Sequence, residues 1–508
     1  MRYWLLIPSL CSMLFAGEPQ RITLESLLGQ MLENNPDIAS SLESLTYQKA
    51  GIMVAKAQFD TGVELYTGAL RDTTLHSHYM MQAYPGLKEA YATQGYSYGA
   101  TASKLLEYGA TMELGLSSTY TKAQSRSYLV DTSEPASVSN TLSFGVNIPL
   151  LKNAGSEIVT TGVESAKINL LKSKYTLAHV VSTVSNEVIS GYWNYLGAHE
   201  KYQITLESEA LAQTLLDNAQ KLILNDVHPK SEMKHSLANL HAKKLQTIVS
   251  KDALNRQWSS LITLAGLSNV YKTPQEPQTA FPKHFVLPDG LEQRFIQEAS
   301  TQRYDLKTHF EELKYLEILR RYYHNQLKPD LALHVGVDYK FHTQEDGVAQ
   351  MLDYGHDTSQ GNKIYANVVY KFTADNNKAQ GEYVQALSKY TSAQLSKNDL
   401  IRSIEINIAS LLQTLNMMAE QIDLSTQTIQ LYEETLENEQ KKYSLGISTI
   451  NDVITIQNNL MSAKMTYVDL QNAYAIALSN LLFQSGKLVQ EQGDNRFIIT
   501  HPHHIKGF

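Results

Sequence analysis

The 508-residue chain carries a net charge of −8 and has a pI of about 6.1, with no stripe of basic residues interleaved with aromatics, which argues against a nucleic-acid partner. Its one cysteine, Cys11, stands near the N-terminus, so the rest of the chain has neither a disulfide framework nor a thiolate metal site. The length alone suggests about three domains, but internal duplication and unbroken helical stretches argue for one elongated unit.

Residues 1–17 begin with a single positive charge at Arg2, continue in an apolar run of about 14 residues and end in Ala16-Gly17. That is the pattern of a secretory signal, too short to span a bilayer comfortably, with cleavage expected near Ala16. Lipid attachment at Cys11 is the alternative, disfavoured by the bulk of Leu10 in front of it. No later segment offers the roughly 18 consecutive apolar residues of a membrane helix. A mature chain that crosses a membrane must therefore do so with strands.

After the leader the sequence is written twice, with a first copy over 18–280, a second over 281–490 and a tail over 491–508. Residues 22–151 and 157–270 are echoed by 290–373 and 376–490, in the order helix, strands, very long helix, break, helix. At a shift of about 220 residues Asn239 falls on Asn459, Lys244 on Lys464, Leu261 on Leu481 and Gly266 on Gly486. At a shift of about 268 Asp37 falls on Asp305, Leu45 on Leu313 and Val63 on Leu331. The first copy therefore carries an insertion of about 48 residues, and the duplication suggests a symmetric wall rather than a single catalytic pocket.

Strands are expected where helical periodicity gives way to alternation. The first copy offers Val63, Leu65, Thr67 and Ala69, then Leu142, Phe144, Val146, Ile148 and Leu150. Between them Tyr96, Tyr98, Ala100 and Ala102, and Met112, Leu114 and Leu116, form an extra hairpin joined around Leu106-Glu107-Tyr108-Gly109, which accounts for the insertion. In the second copy Leu331, Leu333, Val335, Val337, Tyr339 and Phe341 alternate with Ala332, His334, Gly336, Asp338, Lys340 and His342. The return strand sets Ile364, Ala366, Val368, Tyr370 and Phe372 against Tyr365, Asn367, Val369 and Lys371. Such segments suit tilted outer-membrane strands, or a soluble antiparallel sheet with one wet face. Tyrosine near many strand ends and a secretory leader favour the membrane. Four to six strands cannot close a barrel alone, so partner chains must remove the edges that lipid forbids.

Ile401, Ile408, Leu415, Ile422, Ile429, Leu436 and Tyr443 recur at heptad spacing, accompanied by Ile404, Leu411, Met418 and Tyr432, which predicts a coiled-coil seam. Val163, Leu170, Leu177 and Val184, with Val181, Val188, Tyr195 and Tyr202, repeat it more loosely. Each proline-free stretch of roughly 70 residues would make a rod of about 100 Å. Glu433, Glu434, Glu437 and Glu439 with Lys441 and Lys442 form a solvated flank. His76 with His78, and His501, His503 and His504, have no carboxylate or cysteine partner at fixed spacing and belong to a loop and a tail. No phosphate loop, Ser-His-Asp or Cys-His arrangement occurs, so neither a catalytic site nor a cofactor or metal is expected.

Three segments together resemble the TolC family of outer-membrane efflux proteins: Ile22-Thr23-Leu24-Glu25 through Asn34-Asn35-Pro36-Asp37-Ile38, then Ile148-Pro149-Leu150-Leu151-Lys152-Asn153-Ala154-Gly155, then Lys442-Tyr443-Ser444-Leu445-Gly446-Ile447-Ser448-Thr449-Ile450-Asn451-Asp452-Val453. The similarity covers about residues 22–490. It implies a mixed α/β membrane protein, internally duplicated, whose long coiled-coil helices form a periplasmic α-barrel and whose strands form an outer-membrane β-barrel built by a homotrimer. It further implies an exit duct of a tripartite efflux or type I secretion system, in outer-membrane lipid, coupled through a periplasmic adaptor to an inner-membrane transporter. A non-transport periplasmic adaptor or scaffold is the alternative from another class.

Site residues follow from the same resemblance. Leu445, Gly446 and Ile447 in one copy, and Asp226, Val227 and Pro229 in the other, are the tips that would meet the adaptor; glycine suits the reversal, and Asp226 stands where the family has glycine. The family's periplasmic gate maps to Tyr443, Glu232 and Ser448. Serine cannot supply the basic partner, so that bond network does not carry over whole, and a hydrogen bond from Tyr443 to Glu232 is expected to bear more of the closure. The pore constriction maps to Asp452 and Thr455, with a single carboxylate where the family has two. Asp452 has a second reading, as a cap of the returning helix.

Overall fold

A computed structural model describes residues 22–84, 90–124, 136–224, 230–267, 273–288, 290–344, 347–352, 354, 359–493 and 496–500. The expected signal peptide with Cys11, the tip residues Asp226, Val227 and Pro229, and the tail histidines lie outside the described residues.

The first copy folds as α1 (Leu24–Asn34), α2 (Pro36–Lys56), β1 (Gly62–Leu75), the short α3 (His78–Ala83), β2 (Ala90–Leu105), β3 (Thr111–Gln124), β4 (Ser137–Pro149), the single turn α4 (Ser156–Val159), α5 (Thr161–Leu224) and α6 (Ser231–Leu264). The second follows as α7 (Leu291–Gln302), α8 (Tyr304–Gln326), β5 (Asp330–Thr343), β6 (Ser359–Lys371), α9 (Asn377–Ser444) and α10 (Ile450–Gln484), before a terminal ribbon of β7 (Val489–Glu491) and β8 (Phe497–Ile499). Both runs share the order helix, helix, strand, strand, long helix, helix, and the first carries β2–β3 between its two strands together with the short α3 and α4. Two compact units result, one of Met1–Leu45, Ser173–Thr308 and Lys397–Phe508, the other of Thr46–Lys172 and His309–Ser396. Each draws on both copies.

The second unit is built on one antiparallel sheet in the order β1-β2-β3-β4-β5-β6, so the inserted hairpin lies within the sheet and is not a separate flap. Every pairing is one-to-one along its length, without a bulge. The sheet does not close on itself. After β4, Asn153 takes a left-handed conformation with φ of 59°, and after β6 Asn376 does the same with φ of 45°, a conformation asparagine tolerates better than other side-chained residues. Asn325 Oδ1 accepts from the Asn153 amide at 2.8 Å, and Asn376 Nδ2 donates to Leu327 O at 3.2 Å, fixing both exits from the sheet.

In the helical unit the two copies dock alike. Thr23 and Ser26 form a capping box on α1. Asn35 then caps α2, its Oδ1 accepting from the amides of Asp37 at 2.9 Å and Ile38 at 3.3 Å, while Pro36 occupies the first helical position, where its missing N–H costs nothing. The Asn35 amide group also donates to Leu264 O at 3.1 Å, tying this junction to the end of α6. There Gly266 has φ of 69°, and a Cβ on it would stand 2.8 Å from Asn35 Cα. The second copy repeats the device with different chemistry: Gly486, at φ of 75°, abuts the Arg303 backbone, and Arg303 Nη1 donates to Gln484 O at 3.2 Å while pairing with Asp305.

The heptad seam is buried as the spacing predicts. Ile408 and Leu415 are fully enclosed, Ile422, Leu436 and Tyr443 nearly so. Leu177, Val181, Val184, Val188 and Tyr195 of α5 are enclosed likewise. A polar ladder sets the register of α5 against the antiparallel α10: Asn186 Nδ2 donates to Asn480 Oδ1 at 2.8 Å, Asn472 Nδ2 to Asn194 Oδ1 at 2.9 Å, and Lys201 pairs with Asp469 at 2.5 Å. Lys464 continues it, meeting Glu207 at 3.3 Å and Glu433 of α9 at 3.1 Å. Unpaired polar groups between helices cost free energy, so only one sliding register satisfies all these rungs.

Candidate functional site

At the reversal between α9 and α10, seven of the expected site residues fall within a few turns of one another. Tyr443 is 3% exposed, in a cluster of Leu215, Ala219, Leu436, Ile450, Val453 and Leu460 drawn from α5, α9 and α10. Its hydroxyl donates to Glu232 Oε2, at the start of α6, across 3.0 Å. Burial first, then the neighbouring Glu232 carboxylate, push the Tyr443 hydroxyl well above its ordinary pKa, so it remains a donor at any physiological pH. The pair expected from the sequence is therefore in place within a single chain.

The turn itself is a Schellman motif: Ile447 N donates to Lys442 O and Gly446 N to Tyr443 O, each at 3.0 Å. Gly446 has φ of 77°, a conformation that costs a residue with Cβ roughly 1–2 kcal/mol. Leu445 and Ile447, on either side, are 72% and 73% exposed, apolar side chains held out into solvent by the turn.

Past the turn, Asp452 completes a capping box with Thr449. Asp452 Oδ2 accepts from Thr449 N at 3.1 Å and from Thr449 Oγ1 at 2.7 Å. These bonds hold its carboxyl below the usual carboxylate range, the side-chain bond contributing most. Of the two sequence readings, the cap is what the contacts display, and the side chain is at the same time exposed and ionised. Ser448 Oγ donates to Glu439 Oε1 and lies 3.3 Å from Asp452 Oδ2. Glu439 also meets Lys442 Nζ at 3.1 Å, and the Ser448 and Lys442 bonds depress its carboxyl in that order. Glu439 therefore belongs to the tip cluster and not to the solvated flank. Its spacing, one helical turn before Tyr443, is the signal that would have found it. Thr455 Oγ1 bonds back to Asn451 O at 2.7 Å, within its own helix.

The sheet has a second arrangement of functional weight, visible only in its register. Val63, Ala102, Leu114, Phe144, Val337 and Ile364 stand in one row across all six strands, and Leu65, Ala100, Leu116, Leu142 and Tyr339 in the next. Every apolar set expected from the sequence thus lands on the same face. Leu65, Ile364 and Val368 are 76%, 77% and 67% exposed there. Charges on this face stand only towards strand ends, at Lys104, Arg71 and Lys122. The reverse face carries Glu64, Asp72, Glu113, Asp338, Lys340, Lys363 and Lys371, with His334 and His342, among glycine, serine and threonine. On the apolar face the segment Val348–Leu352 packs Met351 against Tyr98, Tyr120, Ala136 and Val138. It also covers Ser118 and Asn140, two of the polar residues of that face. A soluble sheet hides its apolar face and wets the other. This one presents the apolar face outward and keeps its charges on the reverse, which suits a wall between lipid and water.

No protein-family model and no curated protein matches the sequence. Solved structures do. CusC matches with a TM-score of 0.67 at 15% identity, over 91% of this chain and 92% of that one. The Campylobacter jejuni outer-membrane channel CmeC matches at 0.65 and 14% identity, over 91% and 85%. The Vibrio cholerae outer-membrane protein VceC matches at 0.65 and 13% identity, over 91% and 96%. The chain has the fold of these outer-membrane channels. It agrees with the resemblance to the TolC family in its long helices and antiparallel sheet, reached here by backbone geometry across sequences that share few residues.

Proposed function

We propose that the chain is one protomer of a homotrimeric outer-membrane channel-tunnel, the exit duct of a tripartite efflux or type I secretion system, with the helical unit in the periplasm. The observation that carries this reading is the sheet: an exposed apolar face, a charged reverse face and two open edges, in a chain with the fold of outer-membrane channels. No helix among the described residues is long and apolar enough to cross a membrane; in this reading the strands make the crossing, on the strength of their exposed apolar face. The duct performs no chemistry; transport is driven by an inner-membrane transporter through a periplasmic adaptor. Leu445, Gly446 and Ile447, with Asp226, Val227 and Pro229 of the other copy, form the adaptor contact, and exposed Leu445 and Ile447 supply its apolar anchors. Tyr443 with Glu232 and Ser448 forms the periplasmic gate, and Asp452, followed by Thr455, the cation-favouring constriction. Fractionation and reconstitution test the reading together. The mature protein is expected in the outer membrane after carbonate extraction, as a trimer by light scattering in detergent, forming channels in planar bilayers. Recovery as a carbonate-extractable periplasmic protein would instead indicate a scaffold or adaptor.

A further inference from the structure

The two free edges of the sheet match each other. Among the described residues β1 and β6 are each bonded to a strand on one side only, and with six antiparallel strands in order they run in opposite directions. A second copy can therefore set its β1 beside β6 and continue the antiparallel pattern. Neither edge carries a proline or a bulge, two of the devices that keep soluble sheets from joining.

The stagger of the sheet fixes how the edges meet. The row starting at Gly62, the first residue of β1, passes through Ser103, Glu113, Gly145 and Gly336 to Tyr365, six residues before β6 ends at Lys371. Strand ends thus step steadily along the strand direction across the sheet. One further step to the next copy brings Lys371 level with Gly62–Glu64, and only an even offset keeps the apolar faces continuous. The charges select the same register. On the polar face β1 carries two charges, Glu64 and Asp72, both acidic, and β6 carries two, Lys363 and Lys371, both basic. The members of each pair are eight residues apart, so one antiparallel alignment places Glu64 against Lys371 and Asp72 against Lys363 together. An offset of eight residues over six strands, at about 3.3 Å per residue and about 4.8 Å between strands, gives a tilt of about 42°, inside the range of about 35–45° found in membrane barrels.

We propose that β6 of each copy pairs with β1 of the next in this register, so that all six strands, the inserted β2–β3 included, enter one closed barrel. The inference rests on the trimeric reading for its copy number; three copies give eighteen strands. A barrel of that size leaves an open aqueous channel.

Cysteine pairs in a background lacking Cys11, the only cysteine in the sequence, test the register. Adjacent strand pairs alternate between hydrogen-bonded and non-hydrogen-bonded geometry, and only the latter brings Cβ atoms within disulfide reach. Two neighbouring pairs are therefore made, Thr67→Cys with Val368→Cys and Gly68→Cys with Asn367→Cys. One of the two is expected to oxidise to covalent trimers as the largest species on non-reducing gels. Controls without stagger, Val63→Cys with Ile364→Cys and Glu64→Cys with Lys363→Cys, are expected to stay monomeric on the same gels. Glu64→Lys is expected to lower the temperature at which unheated trimers dissociate, and Lys371→Glu added to it, but not to Asp72→Lys, to restore it. Light scattering on each sample separates the outcomes. Trimers with neither pair cross-linked, or with a control pair cross-linked, overturn the proposed closure and leave the trimeric reading intact. Monomers overturn both.

Discussion

At the scale of single residues, the tip concentrates charge and hydrogen bonding on very few atoms. The bond from the Tyr443 hydroxyl to the Glu232 carboxylate joins the ends of α9 and α6 and, as a bond to a charged acceptor, contributes roughly 1.5–3 kcal/mol. Tyr443→Phe keeps the buried ring and removes only that bond, so single-channel conductance in planar bilayers is expected to rise; unchanged conductance would mean that packing alone closes the tip. Asp452 makes a different prediction. Its carboxyl is held below the ordinary range by Thr449, so the cap's stabilisation is complete above the unfolded carboxylate's pKa and is lost as pH falls through the lower folded value. Cation preference carried by Asp452 should therefore persist to lower pH than an unperturbed carboxylate allows, read as the reversal potential in a salt gradient. Thr449→Ala should move that titration upward, whereas Asp452→Ala should relax the preference at every pH without opening the pore. The sequence singled out Tyr443 and Asp452 because a motif carried them, and Glu232 because the resemblance to the family mapped an acidic partner there. It missed Glu439, whose role depends on the turn folding Ser448 back against α9.

At the scale of elements, the junctions between helices govern how the two copies repeat. Gly266 combines a left-handed backbone with the Asn35 Cα 2.8 Å from where a side chain would begin, so Gly266→Ala meets both conformational strain and backbone that cannot yield. A loss of at least 1–2 kcal/mol is expected, roughly the left-handed penalty alone, seen as a lower melting temperature in detergent. Gly29, inside α1 with nothing near its absent side chain, is the internal control. Gly29→Ala should stabilise by about 0.5–1 kcal/mol, because alanine loses less backbone freedom in a helix. If both substitutions destabilise equally, the docking argument fails. The helices, their seams and the reversal between α9 and α10 were legible from heptads, caps and the Asn-Asn-Pro-Asp motif. The α5–α10 ladder was not. Asn186, Asn194 and Lys201 read as ordinary polar surface until the partner helix supplies Asn480, Asn472 and Asp469.

For the whole molecule, the register of the six strands is what separates a membrane wall from a soluble sheet. Leu114 is 52% exposed, and a lysine there would be harmless in water. On a lipid-facing surface near the midplane Leu114→Lys is expected to cost about 2–4 kcal/mol, seen as loss of heat-resistant trimers, while Ser117→Lys, on the charged face of the same strand, should be tolerated. Equal tolerance of both would exclude lipid on the apolar face. Alternation along the chain was enough to predict the strands, the apolar set of each and the extra hairpin, because side chains of a strand alternate whatever it pairs with. It did not say that all six apolar sets share a face, that the hairpin lies inside the sheet, or that Glu64 and Asp72 stand on one edge and Lys363 and Lys371 on the other. Those are relations between residues far apart in sequence, set by hydrogen-bond register, and a one-residue slip in any pairing would have turned the apolar set of a strand to the opposite face. Local periodicity determined the elements; long-range pairing alone decided which surface they make together.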